Sequence, residues 1–122
     1  MSEVVITCVD DLRVLHQRRV PRMFFDYAES GSWTETTLRR NIEAFAEVKL
    51  RQRVAKDISQ RSIAASMLGA QWSMPVALAP TGLAGMQRAD GEILAAQAAE
   101  EFGVPFTLST MSICSIEDVA AH

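Results

Sequence analysis

The chain has 122 residues, 48% hydrophobic and 22% charged, with a formal net charge of −3. This composition fits an ordinary globular domain or part of one, and it excludes a disordered or low-complexity chain. The slight acidity argues against nucleic acid as a partner, and no apolar stretch approaches the ~20 residues of a membrane span.

Basic charge gathers in the first half, at Arg18, Arg19, Arg22, Arg39, Arg40, Arg51 and Arg53; in the second half Arg88 stands alone among acids. An anionic membrane surface or an acidic partner could read such a pattern, but solvated helix faces explain it equally and more simply. Cys8 and Cys114 lie far apart and in no metal spacing. They read as packing residues in a reducing cytoplasm, with no disulfide and no metal site. The opening Met1–Ile6 has no cationic region before a long apolar run, so no signal peptide is expected.

Val4-Val5-Ile6 is short and apolar, and Thr7 offers an N-cap with Asp10 and Asp11 in the first turn. Leu12, Leu15 and Arg19 then follow at helical spacing, which predicts a helix over 9–19. Pro21 ends it and can open a second over 21–29, stopped by Gly31. Ser32-Trp33-Thr34-Glu35 has the pattern of a capping box. Leu38, Ile42 and Phe45 then recur at i, i+4 and i+7, predicting an amphipathic helix over 34–46. Val48–Arg51 alternates apolar and charged residues, as a half-buried strand does.

Farther on, Ser62–Met67 and Gln71–Ser73 flank Gly69-Ala70, a candidate hairpin turn. Val76–Ala79 is a short apolar run ended by Pro80, suited to a parallel strand buried on both faces. An alanine-rich helix is predicted over 91–102, with Gly103 as its stop. Val104–Ser109 reads as a second buried strand, and Ser115 begins another helix. The order strand, loop, helix, strand, loop, helix is one βαβ unit and the start of a second. Two parallel strands bury too little surface to stand alone, so further β/α units are expected to follow His122.

Sites in parallel α/β folds gather at the C-terminal ends of strands. One such end is Ala79-Pro80-Thr81-Gly82, where a missing N–H, a hydroxyl and a glycine could face a planar group. On spacing alone it is as readily an ordinary turn. The other is Ser109-Thr110-Met111-Ser112, whose hydroxyls could hold a polar ring edge or a phosphate, or simply cap the next helix. Tyr27 could hold a carboxylate through its phenol, or pack as one aromatic among Phe24 and Phe25. His16 reads as a surface residue, and His122 is terminal. No phosphate loop, dinucleotide fingerprint, metal cluster or Ser-His-Asp arrangement is visible.

Three segments together resemble the FMN-dependent α-hydroxy-acid dehydrogenases and oxidases, a family that includes glycolate oxidase, mandelate dehydrogenase and flavin L-lactate dehydrogenase. The first is Pro21–Gly31. The second is Thr37-Leu38-Arg39-Arg40-Asn41 with Phe45 and Val48. The third is Ser73–Met86, continuing through Gly91-Glu92 to Phe106–Thr110. Bacterial flavin L-lactate dehydrogenase looks most similar.

The resemblance implies an α/β fold, the N-terminal portion of a (β/α)8 TIM barrel. Residues 1–47 would form a helical segment, 48–73 a small β-hairpin at the barrel bottom, and 74–122 the first β/α units, with Val76–Ala79 and Phe106–Ser109 as the first two barrel strands. A complete barrel needs ~250 residues, so the domain would be incomplete. By resemblance, Tyr27 holds the substrate carboxylate, and Met111 stands where the family varies a side chain beside the substrate. Ala79, Pro80, Thr81, Gly82 and Ser109 contact FMN, Gly82 departing from the alanine common there.

The resemblance also implies oxidation of an L-2-hydroxy acid, L-lactate above all, to the 2-oxo acid. The electrons would pass to a respiratory acceptor or, in an oxidase, to oxygen. The full-length protein would be a homo-oligomer, cytoplasmic or peripheral at the inner face of the membrane. The family's histidine base, lysine, substrate arginines and phosphate-binding loop have no counterpart in these residues, so no catalytic set is complete here. A non-catalytic chain that needs a partner to complete the barrel is the alternative.

Overall fold

A computed structural model describes residues 5–122. The apolar start at Val4 and the residues read above for a signal peptide therefore fall, wholly or in part, outside the described residues. The chain divides after Ser59 into two compact units, each taken by itself below.

The first unit is helical: α1 (Val9–Arg19), α2 (Arg22–Glu29) and α3 (Thr36–Glu47). All three lie where apolar spacing places them. Their starts differ in detail. Cys8, not Thr7, is the N-cap of α1. The Asp11 carboxylate collects the N–H of Thr7 at 2.7 Å, its hydroxyl at 2.9 Å and the N–H of Cys8 at 3.1 Å. These are donors that the helix itself cannot satisfy.

Packing between α1 and α2 centres on Phe25, 8% exposed, whose ring meets that of His16 at 5.3 Å. His16 is thus half-buried against an aromatic and is not the surface residue expected from its neighbours. An Arg13–Glu29 ion pair ties the same two helices.

The expected capping box at Ser32 forms differently. Ser32 contributes its carbonyl to the Glu35 N–H at 3.0 Å. The Glu35 side chain reaches back to the N–H of Gly31 at 3.1 Å. A Cβ at Gly31 would stand 3.0 Å from Leu38 Cβ, so glycine there lets α3 pack on the preceding turn. The rest of the apolar stripe stays uncovered, with Ile42 71% and Phe45 82% exposed. Val48–Arg51 forms no strand and lies exposed. Alternation alone does not make a strand where no neighbour offers hydrogen bonds.

The second unit opens with a hairpin, β1 (Ala65–Met67) paired antiparallel with β2 (Ala70–Trp72), Met67 facing Ala70. The turn is Leu68-Gly69, one residue earlier than expected. Both residues have positive φ, 53° and 78°, as a tight two-residue hairpin turn demands. The Trp72 indole N–H donates to the Met67 carbonyl at 2.9 Å and closes the hairpin.

Helices α4 (Ala84–Gln87), α5 (Gly91–Phe102) and α6 (Ile116–Ala121) follow. Gly103, at φ 67°, ends α5 in the left-handed conformation. Ser115 caps α6: its hydroxyl oxygen accepts the Asp118 N–H at 3.0 Å. Short α4 was not expected from the sequence.

The two expected strands shrink to one parallel bridge between Leu78 and Phe106. Leu78 N–H donates to the Pro105 carbonyl at 2.8 Å, and Thr107 N–H to the Leu78 carbonyl at 3.2 Å. Burial on both faces is not realised either, since Val76 is 49% and Leu78 37% exposed. What core this unit has forms where Val104 and Ala99 bury behind the second strand segment.

Candidate active site

The Leu78–Phe106 bridge sets two chain segments in parallel register, so the residues after each emerge side by side. This brings Gly82 to Ser109 and Met111. The Leu83 N–H donates to the Met111 carbonyl at 2.9 Å. A Cβ on Gly82 would stand 3.1 Å from Met111 Cβ and 3.7 Å from Ser109 Oγ. Closeness, not backbone conformation, favours glycine here, since an added Cβ needs Met111 to give way by a few tenths of an ångström. Leu83 itself is left-handed, at φ 57°. A leucine there costs about 1–2 kcal/mol, and its amide bond to Met111 offsets part of that.

Ser109 Oγ accepts the Met111 N–H at 3.0 Å. Among the described residues no acceptor takes its own O–H proton, which is left to donate. Thr81 Oγ1 donates weakly to the Ala79 carbonyl at 3.3 Å. Ala79, Pro80, Thr81 and Gly82 are all exposed. Pro80 offers no N–H to compete for a ligand, so the strip presents an exposed, mostly apolar edge carrying the Thr81 hydroxyl, with that of Ser109 nearby. Beneath it, a cavity of about 270 Å³ is lined by Leu78, Ala79, Thr81, Ala84, Glu92, Ala95 and Phe106.

Tyr27 belongs to the first unit, on α2, and is 66% exposed. It lies two residues beyond buried Phe25, hence on the opposite side of the helix. Among the described residues its hydroxyl has no hydrogen-bond partner. The structure thus gathers Ala79–Gly82, Ser109 and Met111 in one unit and leaves Tyr27 available in the other. Met111 is 62% exposed.

Glu92 was not singled out by its sequence. It is 2% exposed, in the first turn of α5. Its Oε1 accepts the N–H of Gly85 at 3.0 Å and that of Ile113 at 3.0 Å. Desolvation pulls its pKa upward, but these amide donations outweigh it and hold the carboxyl at about 2. Among the described residues it forms no ion pair, so its charge is held by amide donors and the helix N-terminus. The Cys114 thiol is pushed up, first by desolvation and then by the neighbouring Glu92 carboxylate. The signal that could have exposed Glu92 is an acid on the apolar side of an alanine-rich helix, one residue after a glycine.

Among the described residues, no group of three His, Cys, Asp or Glu side chains is placed to hold a metal ion. No helix there is long and apolar enough to cross a membrane.

A model of the family "FMN-dependent dehydrogenase" matches residues 16–122. The chain belongs to that family. Solved structures of FMN-dependent dehydrogenases and oxidases superpose on it closely. A soluble mutant of the membrane-associated (S)-mandelate dehydrogenase from Pseudomonas putida is 41% identical, with a TM-score of 0.86 over 93% of this chain and 32% of that one. A monotopic membrane (S)-mandelate dehydrogenase is 39% identical, TM-score 0.89, over 96% of this chain and 31% of the other. A mandelate oxidase is 30% identical, TM-score 0.89, over 96% and 34%.

The chain therefore spans about a third of the length of these FMN-dependent relatives. Its fold is the N-terminal portion of their TIM barrel, and the cofactor of the family is FMN. The residues present are compatible with that group: Pro80 offers no competing N–H, and Ser109 Oγ, which accepts the Met111 N–H, retains a proton to give.

Proposed function

We propose that this chain supplies the opening β/α units and the substrate tyrosine of an FMN-dependent enzyme that oxidises an L-2-hydroxy acid to the 2-oxo acid. The observation that carries the reading is the meeting of Gly82, Ser109 and Met111 just past the Leu78–Phe106 bridge. Bound FMN supplies the two-electron acceptor.

Ala79, Pro80, Thr81 and Gly82 are the residues that would hold the flavin ring. Ser109 donates its hydroxyl proton to a polar atom of the cofactor. Tyr27 donates its phenol proton to the substrate carboxylate and orients it. Met111 borders the substrate and tunes which side chain fits. In this reading 1–47 forms the helical segment, 48–73 the bottom hairpin and 74–122 the first barrel units. The 122 residues alone are inactive, because the proton-abstracting base and the carboxylate-binding arginines lie outside them.

L-Lactate follows from the sequence resemblance, whereas the similar solved structures are named for mandelate. The two substrates differ by a methyl against a phenyl group, a difference that the side chain at position 111 would feel. Higher identity to the dehydrogenases than to the oxidase favours a respiratory acceptor over oxygen, and the monotopic relative favours a cytoplasmic protein seated peripherally on the membrane. A homo-oligomeric full-length enzyme completes the proposal.

The test is direct. The full-length protein, purified with its flavin, is assayed with L-lactate, glycolate and (S)-mandelate, using an artificial acceptor and, separately, oxygen. Turnover of at least one acid with about one FMN per chain is expected. Tyr27→Phe should retain the FMN and lose about 10- to 100-fold in kcat/KM, the worth of one hydrogen bond to a charged group. Absence of flavin, or unaltered kinetics in Tyr27→Phe, would overturn the proposal.

A further inference from the structure

We infer that Glu92 is a positioning residue: its buried carboxylate clasps the two loops that follow the parallel segments and so fixes the cofactor edge formed by Gly82, Ser109 and Met111. One oxygen does this. Glu92 Oε1 accepts from Gly85, in α4 at the end of the first loop, and from Ile113 in the second loop, both at 3.0 Å. Gly85 lies three residues beyond Gly82, and Ile113 two beyond Met111. The edge is thus bracketed, with the Leu78–Phe106 bridge on one side and the Glu92 clasp on the other.

Between these brackets, only the Leu83 N–H to the Met111 carbonyl joins the loops among the described backbone hydrogen bonds. With the clasp gone, that single bond would have to hold a spacing in which the Gly82 Cβ position is 3.1 Å from Met111 Cβ. The surroundings are fitted to the clasp. A Cβ on Gly85 would stand 3.0 Å from Glu92 Oε2 and 2.7 Å from Ile113 Cβ, so glycine is what lets the carboxylate approach. Oε2 is buried and receives no hydrogen bond among the described residues. An anion tolerated under these conditions needs its amide donors, and the donors need it, because each buried group left unmatched is costly.

The consequence for flavin binding rests on the FMN-dependent reading, and the experiment separates the two. In the full-length protein, hydrogen exchange at the Gly85 and Ile113 amides is compared between wild type, Glu92→Gln and Glu92→Ala, together with FMN affinity and the separate kcat and KM. Glutamine keeps one accepting oxygen and the side-chain shape but loses the charge. Expected in Glu92→Gln are faster exchange at both amides and an FMN dissociation constant raised on the order of tenfold, with larger effects in Glu92→Ala. If Glu92→Ala does not fold, Glu92→Gln decides alone.

Unchanged exchange at both amides would overturn the clasp. A loss of thermal stability with FMN affinity and kcat/KM held within twofold would reduce Glu92 to a structural role and overturn the positioning claim. A wild-type protein without flavin would sink the functional reading, while the exchange data would still support or refute the clasp.

Discussion

Replacing Gly85 with alanine sets two physical effects against each other. Gly85 lies inside α4, where helix propensity alone predicts a gain of about 0.5–1 kcal/mol for alanine. The new methyl, however, would stand 2.7 Å from Ile113 Cβ and 3.0 Å from both Ile113 Cγ1 and Glu92 Oε2. Carbon atoms prefer a separation of about 3.5–4.0 Å, and the nearest of these neighbours, Ile113 Cβ, is bonded to the backbone and cannot swing away. Overpacking of this kind costs about 1–3 kcal/mol. Any retreat of Ile113 also lengthens its N–H bond to Glu92, a charge-assisted bond worth about 1.5–3 kcal/mol.

The net expectation for Gly85→Ala is a loss of roughly 2–4 kcal/mol, the opposite sign to propensity. Thermal melting of the full-length protein at saturating FMN reads it as a fall of about 3–5 °C. Ile113→Gly in the same background removes the clashing Cβ and should make the two losses less than additive. A neutral or stabilising Gly85→Ala would refute the reasoning, because it would mean that the loop carrying Ile113 moves away without cost.

The Glu92 carboxyl is held at about 2, below its ordinary 4.5. A lowered folded-state value contributes stability that is fully present above about pH 4.5 and lost as pH falls through about 2. The stability gap between wild type and Glu92→Gln should therefore shrink across that window in acid melts; a constant gap would count against an ionised Glu92. Gly82→Ala places a methyl 3.1 Å from Met111 Cβ and should cost about 1 kcal/mol with weaker flavin retention, both relieved by Met111→Gly; flavin titration of the double variant checks this. Ser109→Ala removes the acceptor of the Met111 N–H and should cost about 1 kcal/mol, read by denaturant titration, alongside lower FMN affinity.

The helices were legible because each carries its own evidence. The spacing of Leu12 and Leu15, the aromatic cluster before Gly31, and the Ser115 cap place α1, α2 and α6 without knowledge of their neighbours. The strands were not, because a parallel strand exists only through its partners. Val76–Ala79 has the right residues, yet each segment has one neighbour here, and only the Leu78–Phe106 pair meets it in register. Val48–Arg51 alternates correctly and pairs with nothing.

The hairpin was found one residue out of place, since Leu68 adopts the left-handed conformation that sequence rules reserve for glycine or asparagine. In the candidate site, Gly82, Ser109 and Met111 were named from motif resemblance, and their mutual contact followed from the bridge. Glu92 was named only as part of the matching segment and given no role, because a glutamate in the first turn of a helix ordinarily faces water, and only tertiary packing turns it inward.

The close approach of Gly82 to Met111 has a bearing on redesign of substrate range. The crowding is at Cβ, not farther along the side chain. Unbranched replacements at 111, such as leucine, glutamine or phenylalanine, keep a single substituent on that carbon and leave the glycine undisturbed. Valine, isoleucine and threonine add a second heavy atom at the crowded point. A library confined to side chains with an unbranched first carbon would thus vary size and polarity over the proposed substrate side while leaving the proposed flavin edge as it is.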